Sequence, residues 1–321
     1  MRTHEGPLVS IVTPAYNEEE HLRECIESVI AQTYSHWDYT IVNNCSTDRT
    51  REIAGEYAAK DPRIRLHENE EFVSVQKNYN ISVGQISADS KYCKVLGADD
   101  WLYPDCLEKM VELAEAHPRV GIVSAYSRYG AHLLPVAAPF LGATASGREV
   151  CCNFLLGGPQ PFGAPTWLLF RSDIVRRREH FFSEQILHAD IDACMEVLKD
   201  VDVDFGFVHQ ILTFSRIRET SVSAQWRANR MRFSEHLQLL KKFGNVYLQS
   251  PDDVRREEQN KLSQYYNYLG SEFHERRGHR FWKMHHQRMK DAGYSLSMTR
   301  TVVNNVFYLA EAAIKRIRKW L

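Results

Sequence analysis

Short apolar runs alternate with amphipathic stretches over the first half of the chain. Leu8 to Thr13 (LVSIVT) is an apolar-rich run closed by Pro14, which predicts a buried strand stopped at the proline. Leu22, Cys25, Ile26, Val29 and Ile30 then recur at helical spacing, behind Glu18, Glu19 and Glu20, whose charges suit the positive end of a helix dipole. Tyr39 to Val42 predicts a second strand. Ser46, Thr47 and Asp48 offer oxygens to the free N–H groups opening a helix with Ile53 and Tyr57. A short strand is expected at Ile64 to Leu66, a helix at Val75 to Val83 and a strand at Tyr92 to Leu96. A helix from Asp105 to His117, with Leu107, Met110, Val111 and Ala114 on one face, leads to a strand at Gly121 to Ala125. Strands alternating with helices of this length imply βαβ units and a mainly parallel sheet, an α/β fold.

The pattern loosens after Tyr126. Up to Pro165 the chain is rich in Gly, Pro and Ala and reads as loops around one short helix, Arg148 to Leu156. Thr166 to Phe170 predicts a strand, Ile191 to Leu198 a helix, and Phe205 to Val208 and Ile211 to Phe214 two further strands. Beyond Ser223 helical patterns dominate. The expected organisation is an α/β domain over residues 1–223 and an α-helical region over 224–321. At the C-terminus Val302, Val303, Val306, Phe307, Ala310, Ile314, Ile317 and Leu321 mark one helical face. Lys315, Arg316, Arg318 and Lys319 cluster at its end beside Trp320. Such a helix can lie in a membrane interface, or its apolar face can pack on the helical region or on a second copy of the chain.

Composition narrows the classes. With 321 residues, a 44% hydrophobic share and a net charge of −1, the chain is an ordinary globular one with no bulk basic charge for nucleic acid. Seven cysteines lack any C-x-x-C pair, against a zinc or thioredoxin-like motif, and their odd, scattered placement suits a reducing compartment. The polar start lacks the apolar core of a signal peptide, and no stretch reaches transmembrane length. A cytoplasmic protein is expected, placed at the inner face of the membrane if the C-terminal helix meets lipid.

The most telling polar feature is Asp99-Asp100, set at the exit of the apolar run Tyr92 to Leu96. Two adjacent carboxylates resist joint ionisation unless something positive lies between them, and Mg²⁺ or Mn²⁺ often bridges such groups to phosphates. The alternative is a solvated loop in which Asp100 caps the next helix. In open parallel sheets ligands bind beyond the carboxyl ends of the strands at a topological switch point. That rule gathers Pro14 to Glu18, Asn43 to Ser46 and Asp99-Asp100 on one rim.

These exits carry a resemblance. VSIVTPAYNEEEHLRECIESVIAQTY, YTIVNNCSTDRTREIA and VLGADDWLYPDCLEKM resemble, in order and spacing, successive blocks of the family 2 glycosyltransferases. The resemblance covers the first two-thirds of the chain. It implies a Rossmann-like GT-A fold, a nucleotide-sugar donor, here a UDP-sugar, and inversion at the anomeric centre. It also implies a saccharide or lipid-linked acceptor from cell-surface polysaccharide or glycolipid synthesis. Carried over by position, Pro14, Ala15, Tyr16, Asn17 and Glu18 bind the nucleoside, with Glu18 on ribose hydroxyls or simply on the helix dipole. Asn44 stands where members commonly have an aspartate that accepts the uracil N3–H; its amide can still accept, and Asn43 and Asn44 also suit a turn. Asp99 and Asp100 hold the metal and the ribose, although Gly97 replaces a further aspartate of the motif. Asp190 aligns with the general base that deprotonates the acceptor, with Asp192 as its competitor and first-turn helix acids as the plain reading of both. Arg216 and Arg218 follow the last strand as diphosphate contacts or a surface pair, Arg218 where many members have His. Gly157 to Thr166 is expected to loop over the acceptor side, and Trp167 beyond it to be core. The competing class is a sugar-nucleotide binding module without turnover. A nucleotidyltransferase is disfavoured, since PAYNE replaces a glycine-rich phosphate loop.

Overall fold

The computed structural model describes residues 6–130, 132–133, 142–186, 188–199, 202–218, 232–274 and 278–304. The chain divides into two compact units, 1–218 and 219–321. The first carries, in chain order, β1 (Val9–Ala15), α1 (Leu22–Ile30), β2 (Trp37–Asn43), α2 (Thr50–Lys60), β3 (Ile64–Glu68), α3 (Val75–Val83), β4 (Tyr92–Val95), β5 (Trp101–Leu102) and α4 (Cys106–Ala116). There follow β6 (Val120–Tyr129), β7 (His132–Leu133), β8 (Thr144–Ser146), α5 (Gly147–Leu155), a 3-10 turn (Pro165–Trp167), β9 (Leu169–Arg171), α6 (Ser172–Arg176), α7 (Ala189–Val197) and β10 (Asp204–Ser215).

The strands form one mixed sheet in the order β3-β2-β1-β4-β9-β6-β10-β5, with β7 beside β6 and β8 beside β10. β3, β2, β1 and β4 are parallel, β9 runs against β4 and β6, and β10 is parallel to β6. The α/β fold with a mainly parallel sheet is thus the architecture that the apolar runs imply. All of β1 is buried, as a strand covered on both faces requires, and Leu22, Cys25, Ile26 and Val29 of α1 close over it. The order reverses beside β1: β2 and β3 lie on one flank, β4 on the other. That is the switch point.

Three local expectations change. β1 runs through Pro14 to Ala15. Val12 O accepts Leu96 N–H from the β4 side, so by strand alternation the Pro14 nitrogen faces the same way. The β4 pairing ends at Val12, so the missing N–H costs no ladder bond. The expected strand at Thr166 to Phe170 opens instead as the 3-10 turn. Pro165 presets the turn, and the buried Lys94 ammonium donates to Thr166 O (2.8 Å) and Leu168 O (3.2 Å). The two expected strands at 205–208 and 211–214 are one, β10, whose register shifts between Val208 and Thr213 turn the exposed His209 and Gln210 out of the ladder.

The second unit is helical: α8 (Arg232–Tyr247), α9 (Pro251–His274) and α10 (His279–Asp291), with Leu237, Tyr265, Tyr266, Leu269, Met289 and Leu296 in its core. The expected boundary at 223 lies outside the described residues, as does most of the expected C-terminal amphipathic helix, residues 305–321. Among the described residues no helix is long and apolar enough to cross a membrane.

Candidate active site

The exits of β1 and β2 are stitched together by side chains. Asn17 and Cys45 take left-handed conformations (φ 53° and 55°), which turn each chain sharply past its strand end. The Asn17 N–H donates to Ser46 Oγ (3.1 Å), and Thr47 N–H donates to Asn17 Oδ1 (2.8 Å). Glu18 N–H donates to Thr50 Oγ1 (2.7 Å) and Glu19 N–H to Asp48 Oδ2 (3.0 Å). The oxygens expected to cap α2 thus also fix the loop before α1. Pro14 and Ala15 are buried in the sheet, and Tyr16 alone of this run presents an exposed ring, packed 4.8 Å from the exposed ring of Phe72.

Asn44 is buried and fully engaged. Its Oδ1 accepts Val73 N–H (3.0 Å) and Asn69 Nδ2 (3.0 Å), while its Nδ2 donates to Val73 O (2.9 Å). The backbone N–H fixes which end of the amide is oxygen, so the bond to Val73 O needs a donor that no carboxylate has. This accounts physically for an amide here. Asn44 clamps the segment that carries Phe72.

The two aspartates have different surroundings. Asp100 is buried: its Oδ2 accepts Thr166 Oγ1 (2.5 Å) and Ser215 Oγ (3.2 Å), and its Oδ1 accepts Arg216 N–H (3.0 Å). Burial, reinforced by the charge of Asp99, pushes its carboxyl well above the usual range. Thr166 Oγ1 also accepts Gly97 N–H (3.0 Å), so one hydroxyl joins both ends of the Gly97 to Asp100 turn. A Cβ at Gly97 would stand 3.0 Å from Asp100 Oδ2, so the closeness of the turn favours glycine there. Asp99 faces outward, one-fifth exposed, with Oδ2 2.7 Å from Arg218 Nη2.

Arg218 also grips Glu18 with both ends of its fork, at 3.0 and 2.7 Å. Burial pushes the Glu18 carboxyl up, against the pull of Arg218. Arg216 donates from Nε to Asp99 O (3.2 Å) and from Nη2 to Glu24 (2.6 Å). Antiparallel pairing of β5 with β10 brings these arginines to the acidic turn, since Phe214 pairs with Trp101.

Asp190 opens α7, one-quarter exposed, with Oδ1 accepting Ile191 N–H (2.9 Å) and lying 3.6 Å from His188 Nδ1. Asp192 is buried. Sequence reasoning missed Tyr79. Its phenol is pushed up, first by burial and then by the negative charges of Asp99, Asp100, Asp190 and Glu18. Tyr79 lies half-buried on α3, edge-on to Phe182, and only its position in a predicted helix hinted at it. Trp167 is core, as expected: its Nε1 donates to Ser215 Oγ (2.9 Å).

A divalent ion fits this donor set only as a shared one. Among the described residues no three His, Cys, Asp or Glu side chains form a cage. Both oxygens of the buried Asp100 accept bonds from within the unit, whereas Asp99 is the more exposed carboxylate of the pair, held on Oδ2 by Arg218. Mg²⁺ and Mn²⁺ bind in this way, with one or two carboxylates and the rest from phosphates and water.

Comparison with known proteins identifies the family and the fold. Residues 10–177 match the glycosyl transferase family 2 pattern. The chain is 36% identical over 114 residues to the provisionally named teichuronic acid biosynthesis glycosyltransferase TuaG of Bacillus subtilis (strain 168), 34% of this chain and 43% of that one. It is 37% identical over 107 residues to the uncharacterized glycosyltransferase YibD of Escherichia coli (strain K12), 33% and 30% of the two chains. The chain thus spans less than half the length of these two relatives. In fold it is similar to residues 1–349 of S. aureus TarS in complex with UDP-GlcNAc (TM-score 0.65, 16% identity, 95% of this chain and 92% of that one). It is also similar to the mannosyltransferase PcManGT of Pyrobaculum calidifontis in complex with GDP-Man and Mn²⁺ (TM-score 0.57, 15% identity, 99% and 84%).

Proposed function

Because the chain belongs to glycosyl transferase family 2, whose pattern covers more than half of it, we propose that it transfers a sugar from a nucleoside-diphosphate sugar to an acceptor hydroxyl with inversion. The solved neighbours in complex with UDP, UDP-GlcNAc and GDP-Man support this donor class. A UDP-sugar is the first choice. TuaG supports an acceptor from cell-surface polysaccharide synthesis, a saccharide or a lipid-linked one.

The base stacks on the exposed Tyr16 and Phe72 rings, with Asn44 holding the segment beneath Phe72. Glu18 accepts from the ribose hydroxyls. Arg216 and Arg218 meet the diphosphate, the charged group that a planar guanidinium fork suits best. Asp99 would hold a Mg²⁺ or Mn²⁺ ion, which would supply Lewis-acid stabilisation of the charge on the leaving diphosphate. Asp100 braces the turn from within. Asp190 takes the acceptor proton as the acceptor oxygen bonds to the anomeric carbon and the bond from that carbon to the diphosphate oxygen breaks. The electron pair leaves on the nucleoside diphosphate.

The observation that carries this reading is the meeting of the β1 and β4 exits on one pair of arginines: Arg218 holds Glu18 and Asp99, and Arg216 donates to Asp99 O. The test is release of nucleoside diphosphate from a panel of UDP- and GDP-sugars, with Mg²⁺ or Mn²⁺ and saccharide and lipid-linked acceptors. Asp190→Asn should lose about 10²–10⁴-fold in turnover with donor affinity kept. Wild-type-like turnover by this variant would remove Asp190 from the reaction. Tight donor binding with no turnover across the panel would favour a binding module instead.

A further inference from the structure

Two carboxylates from different strand exits share one fixed cation. Arg218 lies just past the end of β10 and is the last residue of the α/β unit. Its Nη1 and Nη2 hold both oxygens of Glu18, and Nη2 also holds Asp99 Oδ2. The fork keeps one further donor: Nε is buried and has no acceptor among the described residues. Glu18 and Asp99 stand close enough for each Asp99 charge to press on the Glu18 carboxyl, so without Arg218 the two would repel.

A guanidinium and a divalent ion both draw on the single Asp99 carboxylate, and Arg218 already holds its Oδ2. Both are cations, and ion pairing at 2.7 Å leaves no room for a metal on Oδ2. We propose that Arg218 is the resident counter-ion of this crevice and makes uptake of a divalent ion conditional on the donor. The inference rests on the nucleotide-sugar reading above. Diphosphate oxygens offer Arg218 a bidentate partner of higher charge than a carboxylate and draw the fork away from Asp99. The freed carboxylate and the phosphates then complete the oxygen shell that Asp99 alone cannot supply. Binding of donor and ion is therefore coupled, and by linkage the coupling is reciprocal. Metal without nucleotide meets a carboxylate oxygen that the guanidinium already holds.

The test is Mn²⁺ binding to the full chain, followed by loss of the free-ion electron paramagnetic resonance signal, for wild type, Arg218→Gln and Arg218→Lys. No nucleotide is present in this arm. Arg218→Gln leaves Glu18 and Asp99 without their cation and should bind Mn²⁺ about tenfold or more tightly than wild type, within the usual range of coupling between sites. Arg218→Lys keeps the charge and should bind Mn²⁺ as weakly as wild type. In a second arm, calorimetric titration of UDP and GDP in EDTA should show binding to wild type that is weakened in Arg218→Gln. Equal Mn²⁺ affinity in wild type and Arg218→Gln, with nucleotide binding to wild type intact, overturns the role given to Arg218 and leaves the donor reading standing. No binding of UDP or GDP to wild type, with or without Mn²⁺, overturns both.

Discussion

Replacing Thr166 by Val should unfold the acidic turn, whereas replacing Asp99 by Asn should not. Valine keeps the shape of threonine and deletes one hydroxyl. That hydroxyl donates to Asp100 Oδ2 at 2.5 Å and accepts Gly97 N–H at 3.0 Å. Loss of a hydrogen bond to a charged group is worth about 1.5–3 kcal/mol, and a buried N–H left without an acceptor costs about 1–3 kcal/mol more. The two share one oxygen, so their sum is best taken near its lower end, about 3 kcal/mol. For a unit of this size that corresponds to a fall in Tm of roughly 6–12 °C. Asp99→Asn relieves the charge that presses on Asp100 but gives up a part-exposed ion pair with Arg218, and the two effects oppose, so stability should stay within about 0.5 kcal/mol of wild type while donor binding with metal falls. Urea unfolding gives the stability, and hydrogen exchange by mass spectrometry places the loss in peptides spanning β4 and the 3-10 turn. Thr166→Val as stable as wild type would refute the bracing role of Asp100. So would an Asp99→Asn variant as unstable as Thr166→Val.

Three further outcomes follow from other parts of the molecule. Gly163→Ala should destabilise the α/β unit by about 3 kcal/mol in chemical denaturation: φ is +76°, and the new Cβ would fall 1.8 Å from the Trp167 ring. Asn44→Asp should replace the donor to Val73 O with a repelling oxygen and speed hydrogen exchange over residues 69–73 at least tenfold, with weaker nucleotide binding; unchanged exchange would show that the clamp does not hold the segment. His285 is buried in the helical unit, with Nδ1 2.6 Å from the Tyr265 hydroxyl and the Tyr268 and Phe281 rings beside it. Burial lowers its pKa to about 4, so the unfolded chain takes up a proton first as pH falls. Its contribution is complete above about pH 6.5 and is lost towards pH 4, up to about 3 kcal/mol. His285→Phe should flatten that part of the pH–stability curve.

The parallel half of the sheet was legible because β1, β2 and β4 are short buried runs followed by polar exits, and strand-and-helix alternation leaves few ways to connect them. β10 was harder. A bulge that exposes His209, Gln210 and Ile211 looks in one dimension like a break between two strands. The turn at Pro165 was hidden for a related reason: it depends on Lys94, more than 70 residues earlier in the chain, whose ammonium is buried against backbone carbonyls. In the site, residue types pointed to the rim, yet division of labour between Asp99 and Asp100 needed the tertiary partners Thr166, Ser215 and Arg216. Asn44 shows the same limit. Its side chain is committed to Val73, a partner that spacing alone does not reveal. Tyr79 carries no motif at all, and its packing against Phe182, more than 100 residues later in the chain, is a tertiary fact that spacing does not reveal.

The most direct test of the central claim is a crystal structure of the chain with an intact nucleotide sugar and Mn²⁺. The base should lie against Tyr16 and Phe72, the ribose at Glu18, and the diphosphate against Arg218 with Mn²⁺ between it and Asp99, with the sugar directed towards Tyr79 and Asp190. Nucleotide bound elsewhere, for instance in the cavity of about 180 Å³ lined by Asn80, Arg176, Arg178 and Phe181, would contradict the claim, as would a sugar pointing away from Asp190.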